Sequence, residues 1–115
     1  MKTLPMTLKK KWFDMIVSGE KKEEYRESKV YWLKRLVEET MQLGYSMDTM
    51  VFKKFETVTF KNGYSKNSPT VEVELKNIEY RNGFRNGVPA WGAVDGEPYF
   101  VLVLGNIVRT EYLEL

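Results

Sequence analysis

The sequence predicts an α+β fold: a small β-barrel of about five to six strands, with two helices from the N-terminal half packed on it. Three patterns carry this. Apolar residues recur at helical spacing twice before residue 44, over 12–17 and over 30–41. Residues 55–61 and 70–80 alternate apolar with polar at period two, as half-buried strands do. Tyr99 to Leu104 is apolar at every position, which suits a strand buried on both faces. The 115 residues contain no repeat and no linker, so a single domain over 1–115 is expected.

The elements follow in order. Leu4-Pro5-Met6-Thr7-Leu8 places Leu4, Met6 and Leu8 on one face of an opening strand. Pro5 lacks an amide donor and puts that strand at a sheet edge. Across Lys9 to Ser18, Trp12, Phe13 and Ile16 define a helix, with three lysines at its start, the end its dipole disfavours for cations. Gly19 closes it in the left-handed conformation. A short strand through Glu24, Tyr25 and Arg26 sends Tyr25 to the core and sets Glu24 and Arg26 together on the other face. Ser28 is the expected N-cap of a second helix over Lys29 to Leu43, stopped by Gly44. Tyr31 and Trp32 near its start read as core anchors, or as a pocket edge offering a ring for a base to stack on.

Tyr45 to Lys54 reads as loop, and Phe55 to Lys61 as a strand with Val58 and Phe60 inward. Asn62-Gly63 marks a turn, opening a polar loop, Tyr64-Ser65-Lys66-Asn67, that suits a polar ligand as well as it suits a plain hairpin. On the next strand Val71, Val73 and Leu75 face one way, and Glu72, Glu74 and Lys76 the other. Two glutamates at that spacing repel unless solvated or paired. Glu74 is placed opposite Lys21 or Arg26 across a cleft, against the plainer reading of a solvent-facing strand. The Gly- and Asn-rich stretch 81–96 is long enough for a functional loop, and Trp91 in it borders a ligand site or plugs a barrel end. Gly105 suggests a bulge before a last strand from Ile107 to Leu113.

Composition narrows the chemistry. There is no cysteine and no histidine, so thiol chemistry, disulfides and a structural zinc site are excluded, and no metal site or cofactor is expected. Lys, Glu, Asp, Tyr, Ser and Thr remain for any catalysis at neutral pH. No apolar run approaches a membrane span and no signal-peptide core is present, so a cytoplasmic protein without a membrane partner is expected. The net charge of +2 is small, but residues 1–66 carry 14 Lys/Arg against 9 Asp/Glu, while residues 67–115 carry 4 against 7. The front part is the candidate for meeting phosphate.

The densest charge is Gly19-Glu20-Lys21-Lys22-Glu23-Glu24-Tyr25-Arg26. Within it Gly19, Lys21, Glu24 and Arg26 form a Gly-x-Lys-x-x-Glu-x-Arg pattern after a strand and a short helix. With Asn62-Gly63-Tyr64-Ser65, Trp91-Gly92-Ala93 and Val103-Leu104-Gly105-Asn106-Ile107, the chain resembles small bacterial and phage-type ASCH domain proteins of the PUA-like superfamily over nearly its whole length. The resemblance implies a PUA-like barrel with the motif lining a cleft. It also implies action on RNA, nucleotides or modified nucleosides. Some members are amidohydrolases that remove an acyl group from the exocyclic amine of cytidine, using a Lys, a Thr and a strand Glu; others are ribonucleases. Lys21 matches the Lys and Glu74 the Glu, but Glu24 stands where that branch has Thr, and a carboxylate suits acid–base work or ion pairing.

The first expectation is thus an RNA or nucleotide/nucleoside-binding module, monomeric, using Lys21, Glu24, Arg26, Tyr64, Ser65, Lys66, Asn67 and Trp91. The alternative is a hydrolase with Lys21, Glu24 and Glu74 as its catalytic set. A third reading makes Lys21, Glu24 and Arg26 a purely structural ion network.

Overall fold

Five strands and two α-helices are present among the described residues. The computed structural model describes residues 2–38 and 50–113. In chain order the elements are β1 (Thr3–Thr7), α1 (Lys10–Val17), β2 (Glu23–Glu27), α2 (Val30–Leu36), β3 (Thr57–Lys61), β4 (Thr70–Arg81), a 3₁₀ turn (Pro89–Trp91) and β5 (Tyr99–Glu111). The strands hydrogen-bond in the order β1-β3-β4-β5-β2. β1 runs parallel to β3, with Leu4 against Val58 and Met6 against Phe60. β3 and β4 are antiparallel, with Val58 against Val73 and Phe60 against Val71. The sheet is therefore mixed, and the class is α+β. Pro5 does sit on an edge strand, where its missing donor costs nothing.

The chain divides into two units: Met1–Lys22 with Phe55–Lys76 and Val103–Leu115, and Glu23–Lys54 with Asn77–Leu102. Long strands β4 and β5 each contribute to both. In the first unit the period-two faces of β1, β3 and β4 bury Leu4, Met6, Val58, Phe60, Val71 and Val73, and α1 adds Phe13 and Ile16. In the second, Tyr25, Leu36, Val37, Ile78 and Tyr99 to Leu102 are buried. No helix among the described residues is long and apolar enough to cross a membrane.

Several elements differ from expectation for identifiable reasons. Ser28 does not cap α2: its hydroxyl bonds Tyr80 Oη at 3.0 Å, and Lys29 takes the cap position without a side-chain bond. α2 ends at Leu36 because Val37 turns extended, at ψ 140°, and bridges to Phe52. The rest of the expected helix, with Thr40, Met41 and Gly44, lies beyond the last described residue of that segment, as do 45–49 of the loop after it. Tyr31 is no core anchor; it is 60% exposed. β5 runs unbroken through Gly105 to Glu111, without the expected bulge, and the described residues hold five strands, within the five to six expected. The reason for Gly105 is space: a Cβ there would lie 3.0 Å from Glu74 Cβ and 3.1 Å from its Oε1.

Faces expected to be polar are also more buried than alternation alone suggests. Thr57 and Glu72 lie behind a bonded cluster: Thr57 Oγ1 donates to Glu72 Oε2 at 2.6 Å, and Arg109 Nε donates to Oε1 at 2.7 Å. These bonds satisfy a carboxylate that is only 6% exposed. The Thr57 hydroxyl, followed by Arg109, holds its pKa below the ordinary value despite the opposing effect of burial.

Candidate functional site

The end of α1 creates the first unit's most distinctive feature. Gly19 adopts φ 82°, and its amide donates to Ile16 O at 3.0 Å, closing the helix as a left-handed cap. The chain then doubles back, so that Lys21 N donates to Met15 O at 3.0 Å. One residue later Lys22 O accepts from Leu104 N at 3.0 Å, tying the segment to β5. These two bonds fix the backbone on either side of Lys21. Its side chain is 1% exposed, and its Nζ stands 5.0 Å from the centroid of the Trp12 ring. Lysine is almost never buried to this degree unless its charge is compensated; the electron-rich ring face is one such compensation.

Lys21 and the α1 terminus form one wall of a hollow of about 230 Å³; Val73, Leu104, Gly105, Asn106 and Ile107 form the other. Drug-sized ligands occupy roughly 300–1,000 Å³, so this space matches a smaller group, a base or a phosphate. Glu74 stands beside it: its Oε1 accepts from the backbone amide of Asn106 at 2.8 Å. The absent Cβ of Gly105 is what leaves room for that carboxylate. Glu74 is exposed, unlike Glu72 two residues earlier. The two glutamates thus avoid mutual repulsion by taking different partners.

Glu24 and Arg26 belong to the second unit, on β2. Glu24 is 4% exposed. Its Oε1 accepts from the Tyr25 amide at 3.1 Å and lies 3.1 Å from Arg26 Nη1. Arg26 also donates to Tyr25 O at 2.8 Å and places its guanidinium 5.3 Å from the Trp32 ring centroid. The pair shares a strand face as expected, but Glu24 is as buried as Tyr25, not turned to water.

Beneath them Tyr25 anchors the strand. Its hydroxyl donates to Glu23 Oε1 at 2.8 Å and accepts from Val88 N at 2.9 Å. Arg81 closes a bidentate fork on the same carboxylate, at 3.0 and 2.7 Å. Burial disfavours the charged Glu23, yet the Arg81 and Tyr25 hydrogen bonds outweigh it and hold the carboxyl below its ordinary pKa. Burial pushes the Tyr25 phenol well above its own, with Glu23 adding to the rise and the Val88 amide opposing it. This clasp fastens the start of the 82–98 loop, since Arg81 Nη1 also reaches Asn86 O.

The other expected site residues are placed as follows. Tyr64, Ser65, Lys66 and Asn67 form the exposed tip of the β3–β4 hairpin, with Tyr64 92% exposed. Ser65 bonds Ser68 across that tip at 3.1 Å, and none of the four is among the residues lining the Lys21 hollow. Trp91 ends the 3₁₀ turn of the second unit, half-buried. Three participants escaped the sequence reading: Trp12 as the ring beside Lys21, Arg81 as the partner of Glu23, and Arg109 as the partner of Glu72. No local spacing announces them; Glu23 and Arg81 are 58 positions apart.

Comparison with protein-family models, with curated proteins and with solved structures gives no match.

Proposed function

We propose that this chain is an ASCH-type, PUA-like domain whose two helices accompany a small barrel, and that it binds a nucleotide or nucleoside, free or within RNA, in the hollow beside Lys21. The supporting observation is the burial of Lys21 against Trp12 at the wall of a base-sized space. The cation supplies the charge that such ligands use for a phosphate or a base carbonyl, while Trp12, which does not line the hollow, supports Lys21 at 5.0 Å. Glu74, oriented by the Asn106 amide, is the acceptor for an exocyclic amine. Arg26, with Glu24 fixing its guanidinium, belongs to the second unit and is not among the residues lining the hollow.

The test is a titration with nucleosides, nucleotides and short RNAs, followed through the indole N–H of Trp12 by NMR. Lys21→Met is expected to weaken binding about tenfold or more, the scale of one charged hydrogen bond, and to flatten its salt dependence. Lys21→Arg keeps the charge and controls for lost folding. A panel that neither variant affects refutes the reading. Lys21→Met that loses stability while the wild type binds nothing assigns the residue to a structural ion network instead.

A hydrolytic use of the same hollow is favoured by one observation: Glu74 is exposed and pre-oriented beside it. Water would then attack an amide or phosphodiester, with Lys21 and Glu74 exchanging protons. Mass spectrometry on acylated cytidines and short RNAs, with and without divalent metal, decides it; no product rules turnover out.

A further inference from the structure

Helix α2 presents a surface that the nucleotide hollow does not use. Arg35 Cζ lies 5.5 Å from the Tyr31 ring centroid and 5.8 Å from that of Trp32. Arg26 Cζ lies 5.3 Å from the same Trp32 ring. Tyr31 and Trp32 themselves meet edge to face at 4.9 Å. Two guanidinium planes and two rings are thereby linked on one face of the second unit, an arrangement whose internal cation–π contacts contribute only about 0.5–1 kcal/mol each where exposed. Yet Tyr31 remains 60% exposed, and Arg35 Nε is shielded from water with no hydrogen-bond partner among the described residues. An unfilled donor beside open ring surface is unfinished as packing.

Among the described residues the charge around it is mostly positive. Lys34 is exposed at the last turn of α2, and Lys53 Nζ is brought to the same turn by donating to Lys34 O at 2.8 Å. Two cations here have a carboxylate beside them, Lys29 with Glu27 and Arg26 with Glu24, both at 3.1 Å. A polyanion that also has flat faces satisfies both halves of this surface. Phosphates meet the lysines, and bases stack on Tyr31 and the Arg35 plane, which a compact ammonium could not provide.

We propose that this face of α2 is a stacking platform for single-stranded polynucleotide. The inference stands apart from the mononucleotide reading, because it requires a polymer and uses no residue of the Lys21 hollow. An acidic peptide meets the charge but has no use for the rings.

The experiment measures anisotropy of a labelled octauridylate across a salt series, with uridine monophosphate titrated separately. Tyr31→Ala, truncating an exposed side chain, is expected to weaken the octamer about fivefold or more, the low end for one stacked base. Arg35→Lys keeps the charge, so the salt slope should hold while affinity falls by a similar factor. Monophosphate affinity should be unchanged in both. Octamer binding by Arg35→Lys equal to wild type overturns the platform, as does equal competition from octaglutamate or a wild type that ignores the octamer. A wild type that ignores the monophosphate but loses octamer affinity on Tyr31→Ala supports the platform and sinks only the hollow.

Discussion

Gly87→Ala tests whether the Tyr25 clasp is as rigid as its bonds imply. Gly87 has no need of a left-handed backbone, since its φ is not among the positive ones. It is glycine because of its neighbours. A Cβ there would stand 2.6 and 2.7 Å from Tyr25 Cε1 and Cζ, and 2.8 Å from Ala93 Cβ. Ordinary carbon contacts are about 3.5–4.0 Å, so the ring must retreat by roughly 1 Å. Tyr25 is 7% exposed, lies 5.6 Å from the Tyr99 ring, and holds hydroxyl bonds of 2.8 and 2.9 Å. Retreat breaks both bonds, each contributing about 1 kcal/mol, and adds overpacking strain of about 1–3 kcal/mol.

The expected loss is about 3 kcal/mol. With a urea m-value of about 1.5 kcal/mol/M for a domain of this size, the midpoint falls by about 2 M. Gly96→Ala is the control, because its φ of 87° is left-handed but nothing lies within 4 Å; only the backbone cost of about 1–2 kcal/mol applies. In a Tyr25→Leu background the Gly87→Ala loss should shrink by more than 1 kcal/mol, a coupling expected of groups in contact. A Gly87→Ala loss below that of Gly96→Ala, or one independent of Tyr25, refutes a fixed ring.

Two further outcomes follow from the same geometry. Glu23 and Glu72 both titrate below the ordinary 4.5 when folded, so each binds fewer protons folded than unfolded. Their stabilisation is complete above that value and is lost as pH falls through the folded pKa values; an acid titration followed by circular dichroism should show the loss shrinking in Glu23→Gln and in Glu72→Gln. Gly105→Ala puts its Cβ 3.0 Å from Glu74 Cβ, 3.1 Å from Oε1 and 3.2 Å from Lys76 Cε, so β4 must give a little as well as the Glu74 carboxylate, whose bond to Asn106 N is lost. The expected cost is about 1 kcal/mol for that bond plus about 1 kcal/mol of overpacking, with faster hydrogen exchange at the Asn106 amide as the readout.

The parts of the fold that sequence made legible are those with local causes. Alternation fixed the inward faces of β1, β3 and β4, and Gly19 marked the end of α1, because each depends on neighbours a few residues away. The misreadings have long-range causes. Ser28 has cap chemistry, but Tyr80 offered its hydroxyl a tertiary partner. Glu72 has the sequence signature of a solvated strand face, yet Thr57 and Arg109 bury it. Gly105 looks like a bulge because glycine in a strand often is one; only the position of Glu74 across the ladder reveals a packing reason. For the site, the motif located Lys21, Glu24 and Arg26, whereas Trp12 was indistinguishable from any apolar helix residue until Lys21 folded back toward it.

Burial separates charges in the motif that look equivalent in sequence. Glu20 and Lys22 are exposed, Glu23 is held by Arg81, and Lys21 and Glu24 are removed almost completely from water. Burying an ionic group costs several kcal/mol, and even a well-paired buried charge is often matched or bettered by an apolar side chain of similar volume. Truncating only one member of a buried charged interaction, by contrast, is costly, about 3–5 kcal/mol, so Lys21→Met is expected to lower stability whether or not the residue also meets a ligand. Lys21 lines the hollow as a residue while its side chain is almost wholly enclosed, and a charge held in a low-dielectric recess acts on an incoming anion or carbonyl more strongly than one in water. Under the proposed function the residue serves binding as well as bracing, and ligand titration of Lys21→Met beside its unfolding midpoint separates the two roles.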